Sequence, residues 1–338
     1  MKLTELTFDD LKFNSFLNRY NLEIREEDTI ADAIFRFLFS DNSVIHLEGS
    51  DITPQYIKET YLTKLKKQIS KGAPIDFFLT AFSPKFKKQE VSNGRYEPDI
   101  AEYITLVHLQ MIAKAIREIY PYNFRFIIAF KGDLYERVGG WSKEELDTTF
   151  NIVREFNLAA EKLTGTRNSV VLNRWPEMFG DSLGEFETRW TLKTEHYYRL
   201  WSDKKAPYFN QIENWKDDFL PLMDVDQTYN EIIDFFLTKE GCRIRAFNNL
   251  IFREGKALDL LQKQHPNLLI AHTTKRSKFF NILLNPHFQT RTHSKITIFD
   301  NNWEMVPWLD MKNKKISPVF FEEYNFPMFF KKAKKTEI

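Results

Sequence analysis

The chain has 338 residues, enough for one large α/β domain or two smaller ones. Its 48 basic and 47 acidic side chains give a net charge of +1, which argues against a general nucleic-acid-binding surface, because such a surface needs a basic excess. Cys242 is the single cysteine and cannot form an internal disulfide, which is typical of a reducing compartment. The polar start MKLTELTFDD lacks the apolar centre of a signal peptide. No apolar run approaches the roughly 20 residues of a membrane span. We therefore expect a cytoplasmic protein that binds neither nucleic acid nor membranes.

Residues 1–72 are predicted to form a mostly helical segment that packs on the core. Thr53 and Pro54 are typical of a helix start, and Gly72 is typical of its end. Between them, apolar residues recur at a four-residue step, which places them on one face of the helix: Ile57, Tyr61, Leu65 and Ile69.

Residues 73–330 are predicted to form one α/β catalytic domain. Short apolar runs predict three strands, near 76–82, 124–130 and 168–172. Helices near 99–119 and 143–163 separate these strands, and the second opens with the capping box Ser142-x-x-Glu145. Apolar strands joined by helices are typical of a Rossmann-like parallel sheet with helices on both faces. Because such crossovers are right-handed, we expect the carboxyl ends of the strands at one edge of the sheet, where α/β proteins bind their ligands.

The rest of the chain changes character twice. Residues 182–264 are predicted to be a helical insertion. After Pro266, strands are expected near 267–271, 279–284 and 294–299, as mostly antiparallel additions to the same sheet. The lysine-rich residues 331–338 are expected to form a basic, solvated tail.

Charged motifs follow the first two predicted strands. The first strand runs into Ser83-Pro84-Lys85, and Pro98-Asp99-x-x-Glu102 then opens a helix that ends at Ile119-Tyr120-Pro121. The second strand stops at Lys131-Gly132-Asp133. Near the C-terminus, His287-Phe288-Gln289 precedes the strand Lys295-Ile296-Thr297-Ile298 and the turn Pro307-Trp308-Leu309.

In this order the motifs resemble those of the isocyanide (isonitrile) synthase family. That family includes the pyoverdine/paerucumarin-type tyrosine isonitrile synthases and the fungal enzyme that starts dityrosine synthesis. The spacing from His287 to Lys295 is that of the family, whereas Leu309 stands where the family has a histidine and Pro84 is shifted by one position. The resemblance covers most of the chain, and these departures mark a divergent member.

The resemblance implies an enzyme that joins the amino group of an aromatic L-amino acid to the ketone carbon of ribulose 5-phosphate. Fragmentation of the sugar then leaves that carbon as the isocyanide. Tyrosine is expected before tryptophan, and no metal or nucleotide cofactor is implied. In agreement with this expectation, the sequence has no dinucleotide-binding glycine loop, P-loop, nucleophile elbow or zincin helix. An iron/2-oxoglutarate oxygenase often acts next in such a pathway, which makes one the expected pathway neighbour.

This condensation needs proton transfers, cationic or N–H partners for the phosphate, and a slot for the aromatic ring. On the family match, the candidate catalytic residues are Lys85, His287 and Asp133. The candidate substrate-binding residues are Arg291, Lys295, Lys131, Arg174, Asp99 and Glu102.

Each candidate near the first strands also has a structural interpretation. Lys85 is equally typical of a solvated loop, and Lys131 to Asp133 of a plain turn. Arg174 is typical of a surface ion pair. Asp99 and Glu102 have the spacing of a capping box and the charge that suits a helix N-terminus.

The C-terminal basic cluster, His287, Arg291, His293 and Lys295, has two alternatives to an anion site. One is an ordinary basic hairpin. The other is a metal site through the two histidines, although no cysteine or acidic ligand stands nearby at regular spacing. His272, at another strand end, is a weak further candidate.

Two other functions stay open at this stage. One is a related enzyme that gives an N-formyl amino acid or uses a non-aromatic amine, since Leu309 and the altered Gly132 loop depart from the family. The other is a module of the same fold that binds a sugar phosphate or an amino acid without turnover.

Overall fold

The computed structural model describes most of the chain, with gaps between the described ranges. These are residues 1–39, 46–47, 55–82, 97–130, 142–174, 177, 183–202, 237–248, 261–272, 280–283, 295–307 and 316–332.

A six-stranded sheet lies at the centre of the described residues. Its strands are β1 (His46–Leu47), β2 (Ile75–Ala81), β3 (Phe124–Phe130), β4 (Val170–Arg174), β5 (Leu269–His272) and β6 (Phe280–Leu283). The order across the sheet is β1-β6-β5-β2-β3-β4. The strands from β6 to β4 are parallel, and β1 is antiparallel to β6. The predicted parallel central sheet is therefore confirmed.

Helices flank this sheet, as expected. They are α1 (Ile30–Phe39), α2 (Gln55–Ser70), α3 (Ile100–Ile119), α4 (Lys143–Thr164), α5 (Leu183–Ser202) and α6 (Lys239–Asn248). The first two crossovers match the predicted ones, because α3 connects β2 to β3 and α4 connects β3 to β4. The predicted capping box of α4 is formed: the Glu145 amide donates to Ser142 Oγ (3.2 Å) and the Ser142 amide to Glu145 Oε2 (2.7 Å). Helices α5 and α6 belong to the predicted helical insertion.

The C-terminal strands form a second sheet. It contains β7 (Lys295–Asp300), β8 (Asn302–Pro307), β9 (Ile316–Phe320) and β10 (Pro327–Lys332), in the order β8-β7-β10-β9. β7 and β8 form an antiparallel hairpin, β9 and β10 are also antiparallel, and β7 and β10 are parallel. Of the three strands predicted after Pro266, the one near 294–299 lies in this sheet, as β7.

Two of the three C-terminal strands lie in the large sheet, as predicted, but their expected antiparallel direction and the expected sheet of the third strand were wrong. β5 and β6 are parallel members of the large sheet, and β7 belongs to the other sheet. Short apolar runs carry no signal of strand direction or of partner. The short connection between β5 and β6 favoured an antiparallel pair, since parallel strands usually need a longer crossover. In addition, the predicted tail boundary at residue 331 falls within β10, where Lys332 pairs with Asp300 (2.7 Å).

Aromatic side chains fill much of the core. The large sheet alone buries Phe77, Phe78, Phe124, Phe126 and Phe130. Helix α3 packs above it and is buried all round over residues 100–110, not along one stripe. The reason is that α3 is covered on both sides, by the large sheet and by the N-terminal and C-terminal parts of the chain.

Residues 1–39 take part in that cover. The short 3-10 helix Asn14–Tyr20 brings Tyr20 to α3, where its hydroxyl lies 2.6 Å from His108 Nδ1. Burial raises the pKa of the Tyr20 hydroxyl well above its ordinary value. Nearby, the indole nitrogen of Trp303 in β8 donates to the carbonyl oxygen of Leu11 (3.1 Å). The N-terminal segment thus joins α3 to the second sheet.

Candidate active site at the sheet edge

The carboxyl ends of the parallel strands lie in register at one edge of the large sheet. Ala81 at the end of β2 pairs with Phe130 at the end of β3, and Phe130 pairs with Arg174 at the end of β4. On the other side of β2, Leu79 pairs with Ala271, so that β5 ends at the same edge with His272. The expectation that the strand ends meet at one edge is confirmed.

The strand order also defines a topological switch point. Counted along the chain, the five parallel strands have the order 3-2-1-4-5 across the sheet, which is the Rossmann order. From β2 the chain builds β3 and β4 on one side, and later β5 and β6 on the other. Open sheets of this kind bind ligands in the crevice between the two central strands, here β2 and β5. β2 ends at Ala81, and Lys85 follows a few residues later in the sequence.

Phe82 shapes the exit from β2. Its backbone has φ +56°, in the left-handed region that bulky residues rarely adopt, and its ring is buried in the core. Such a conformation costs about 1–3 kcal/mol and persists where the surrounding packing enforces it. Sequence reasoning missed this residue, since glycine or asparagine is the usual sign of a left-handed turn. The buried ring therefore holds the backbone of Phe82 in this conformation at the end of β2.

Asp99 and Glu102 form the predicted capping box at the start of α3. Asp99 Oδ1 accepts a hydrogen bond from the amide of Ala101 (2.8 Å), and Glu102 Oε2 accepts one from the amide of Asp99 (2.8 Å). Both side chains are buried, with 7% and 4% of their surface exposed. The structural interpretation of this pair is thus confirmed, and their role in binding substrate stays a prediction.

The Asp99 carboxylate also contacts the second sheet. The hydroxyl of Thr297 in β7 lies 3.0 Å from Oδ1 and 3.1 Å from Oδ2 of Asp99, and Thr297 is completely buried. Lys295, the first residue of β7, precedes Thr297 by two positions. The structure therefore brings the backbone of one predicted substrate-binding residue close to the helix that follows the switch point.

Arg174 lies at the outer strand of this edge. Its guanidinium Nη2 is 2.5 Å from Oδ1 of Asp147 in α4, and the group stacks over the ring of Phe150 at 5.1 Å. The Arg174 amide donates to Glu177 Oε2 (2.8 Å). The ion pair expected as the structural alternative is present, and the substrate-binding role of Arg174 stays a prediction.

The N-termini of α3 and α4 both carry negative charge. Glu144 and Glu145 lie in the first turn of α4, with Asp147 just beyond them, and Glu102 lies in the first turn of α3. A helix N-terminus is ordinarily a good anion site because its free N–H groups and dipole attract negative charge. Here carboxylates of the chain itself accept from the first amides of both helices, so these helix ends are not themselves anion sites.

The first turn of α3 is closed to water as well. Tyr103 is buried there and packs edge-on against Phe156 of α4, with 6.0 Å between the ring centroids. Burial raises the pKa of the Tyr103 hydroxyl above its ordinary value. The two rings thus close this corner of the edge to solvent.

Most of the other predicted site residues lie outside the described residues: Lys85, Lys131, Asp133, His287, Arg291 and His293. For Lys295 and His272 the backbone is described and the side chain is not. Within the described ranges, no group of three or more His, Cys, Asp or Glu side chains is placed to hold a metal ion.

The strand order, the switch point and the helices around the sheet define a Rossmann-like α/β protein. A sequence model of the family described as pyoverdine/dityrosine biosynthesis protein matches residues 65–254, which is more than half of the chain. The chain belongs to this family. The matched segment contains Lys85, the capping box of α3 and the residues Lys131 to Asp133, whereas the basic residues at 287–295 lie beyond it.

The comparison with solved structures agrees on the fold. The crystal structure of the PvcA protein from Pseudomonas aeruginosa matches with a TM-score of 0.65 and 12% sequence identity, over 90% of this chain and 100% of that chain. No curated protein sequence matches the chain significantly. The family match confirms the resemblance drawn from the motifs and supports isonitrile-type biosynthesis as the general activity. Across the described ranges, no helix has the length and apolarity required to cross a membrane.

Proposed function

We propose that the protein is an isonitrile synthase that condenses the amino group of an aromatic L-amino acid, tyrosine first, with the ketone carbon of ribulose 5-phosphate. The family match over residues 65–254 carries this proposal. It spans the strand, loop and helix on one side of the switch point, where an open α/β sheet binds its ligands.

We assign the proton transfers to three residues in the segments that adjoin β2, β3 and β7 in sequence. Lys85 follows β2, Asp133 follows β3, and His287 precedes β7. Formation of a carbinolamine requires a base to free the amine and an acid to expel water, which are tasks for such side chains. We assign Lys85 and His287 to proton transfer on the sugar and amine, with Asp133 as their acidic partner.

The charges at the sheet edge support a particular place for the phosphate. Carboxylates fill the N-termini of α3 and α4, so these ends do not favour a second anion. Arg291 and Lys295, just before and at the start of β7, have no acidic residue beside them in the sequence. Arginine binds phosphate through two parallel hydrogen bonds. We therefore assign the phosphate to Arg291 and Lys295, and the amino-acid carboxylate to Lys131 and Arg174.

The test is a product analysis with labelled substrate. The purified protein is incubated with ribulose 5-phosphate labelled at the ketone carbon and a mixture of amino acids, and products are detected by mass spectrometry. A labelled isonitrile of one amino acid supports the proposal. A product heavier by one water identifies the N-formyl alternative, and binding without any product identifies a non-catalytic module.

The proposal includes the surroundings of the reaction. It needs no metal or nucleotide cofactor, takes place in the cytoplasm, and is followed by an iron/2-oxoglutarate oxygenase that acts on the isonitrile. Dialysis against a chelator before the assay checks the first point, since loss of turnover restored by one metal would contradict it.

A further inference from the structure

A buried side-chain contact joins the second sheet to the N-terminus of α3. Thr297 has no exposed surface, and its hydroxyl donates to the carboxylate of Asp99 at 3.0–3.1 Å. The same carboxylate caps α3 through the amide of Ala101. Asp99 is therefore held from two directions, by its own helix and by β7.

The contact lies close to Lys295, which the proposed function assigns to the phosphate of the sugar. Lys295 begins the strand two residues earlier, which is about 7 Å along an extended chain. Other described links of the second sheet lie farther along, such as Trp303 to Leu11 and Tyr324 to Glu155. The Thr297 hydroxyl thus acts near the first residue of β7.

We propose that Thr297 is a positioning residue for the sugar-phosphate site: through Asp99 it holds the start of β7, and Lys295 with it, at the N-terminus of α3. This inference rests on the proposed function, because that function assigns the phosphate to Arg291 and Lys295. Thr297 does not touch substrate. A valine of the same shape fills the same buried space but cannot donate to Asp99.

The test compares Thr297→Val with Thr297→Ser and with Thr149→Val as a matched control. Thr149 is also buried, with 2% of its surface exposed, and its hydroxyl donates to the carbonyl oxygen of Glu145 within α4 (2.9 Å). We expect Thr297→Val to raise the KM for ribulose 5-phosphate about tenfold, which corresponds to about 1.4 kcal/mol. The KM for the amino acid should stay nearly constant. Thr297→Ser should restore the wild-type value, and Thr149→Val should leave both KM values unchanged.

A purely structural role gives a different pattern. Thr297→Val would then lower the melting temperature and leave the ratio of the two KM values unchanged, which would overturn the proposal. If the valine variant does not fold, Thr297→Cys keeps a weaker donor in the same space. A smaller rise in the same KM supports the proposal, and an unchanged KM overturns it.

Failure of the proposed function is distinguished by two measurements that need no turnover. Hydrogen exchange of the amides at 295–297 should be faster in Thr297→Val than in wild type, because local opening becomes easier when the anchor is lost. Equilibrium binding of ribulose 5-phosphate, measured by calorimetry, should weaken in the same variant. If wild type binds this sugar phosphate but makes no product, only the proposed reaction fails. Unchanged exchange in the variant, or a wild type that does not bind the sugar phosphate, overturns the role of Thr297.

Discussion

Replacement of Asp99 by alanine and by asparagine separates the structural role of this carboxylate from a role on the substrate. Alanine removes the N-cap of α3, which costs about 1 kcal/mol. It also leaves the buried Thr297 hydroxyl without its acceptor, which costs about 1–3 kcal/mol. We therefore expect Asp99→Ala to lower the free energy of unfolding by about 2–4 kcal/mol. Asparagine is an equally preferred cap and still accepts through its amide oxygen, so Asp99→Asn should cost less than about 1 kcal/mol.

The assay is urea-induced unfolding of wild type and the two variants, with Ser142→Ala as the control. Ser142 occupies the same position in the capping box of α4 but is exposed, so its loss should cost about 1 kcal/mol or less. An asparagine variant as unstable as the alanine variant would refute the reasoning, because the hydrogen bonds alone could not explain it. So would an alanine variant as stable as wild type.

The same pair of variants tests the predicted substrate-binding role of Asp99. If the negative charge holds the substrate amine, Asp99→Asn should raise the KM of the amino acid about tenfold or more at nearly unchanged stability. If the carboxylate serves only the helix and β7, the KM should stay within about twofold of wild type. In that case Asp99 stabilises the structure around the site and does not contact the substrate.

Four further outcomes are expected. Lys85→Ala should lower turnover by about 10² to 10⁴ and leave the free energy of unfolding unchanged. The control Lys87→Ala, two positions later in the sequence, should keep wild-type turnover. Equal turnover in both variants would show that Lys85 is a solvated lysine without a catalytic role. Arg291→Ala or Lys295→Ala should raise the KM of ribulose 5-phosphate roughly ten- to 150-fold and that of the amino acid little, and equal small changes would place the phosphate elsewhere. Arg174→Ala should change the free energy of unfolding by less than about 1 kcal/mol, because its ion pair with Asp147 is partly exposed; a larger loss by urea unfolding would contradict this. Burial raises the pKa of the Cys242 thiol to about 12, so it stays protonated at pH 8 and should react with a thiol reagent only after unfolding; rapid reaction of the native protein would refute its burial.

The parts of the fold that the sequence predicted well are those with local signals. The capping boxes at Asp99 and Ser142 placed two helix starts correctly, and the left-handed Gly72 lies just past the end of α2. The run at 124–130 is β3 without any shift of its bounds. Capping boxes, helix-ending glycines and apolar runs depend on residues a few positions apart, so they can be recognised in the sequence without knowledge of the fold.

What the sequence could not predict depends on distant partners. Thr297 stands between Ile296 and Ile298, a pattern typical of a residue on the solvent face of a strand. In the structure it is buried against the start of α3, where its hydroxyl donates to Asp99. Asp99 lies 198 positions earlier in the chain, so the sequence around Thr297 gives no sign of this contact. The directions of β5 and β6 and the left-handed Phe82 are likewise set by packing, which no nearby residue announces.

Helix α3 contacts three parts of the chain: the large sheet, the N-terminal segment and the second sheet. Its inner face packs on the large sheet, its middle contacts the N-terminal segment through His108 and Tyr20, and its start contacts the second sheet through Asp99 and Thr297. In dinucleotide-binding proteins with this strand order, the N-terminus of the first helix binds pyrophosphate. Here buried carboxylates hold that end, and the chain has no glycine-rich loop before it. The start of α3 is thus a contact between the two sheets, and under the proposed function the phosphate binds at Arg291 and Lys295 instead.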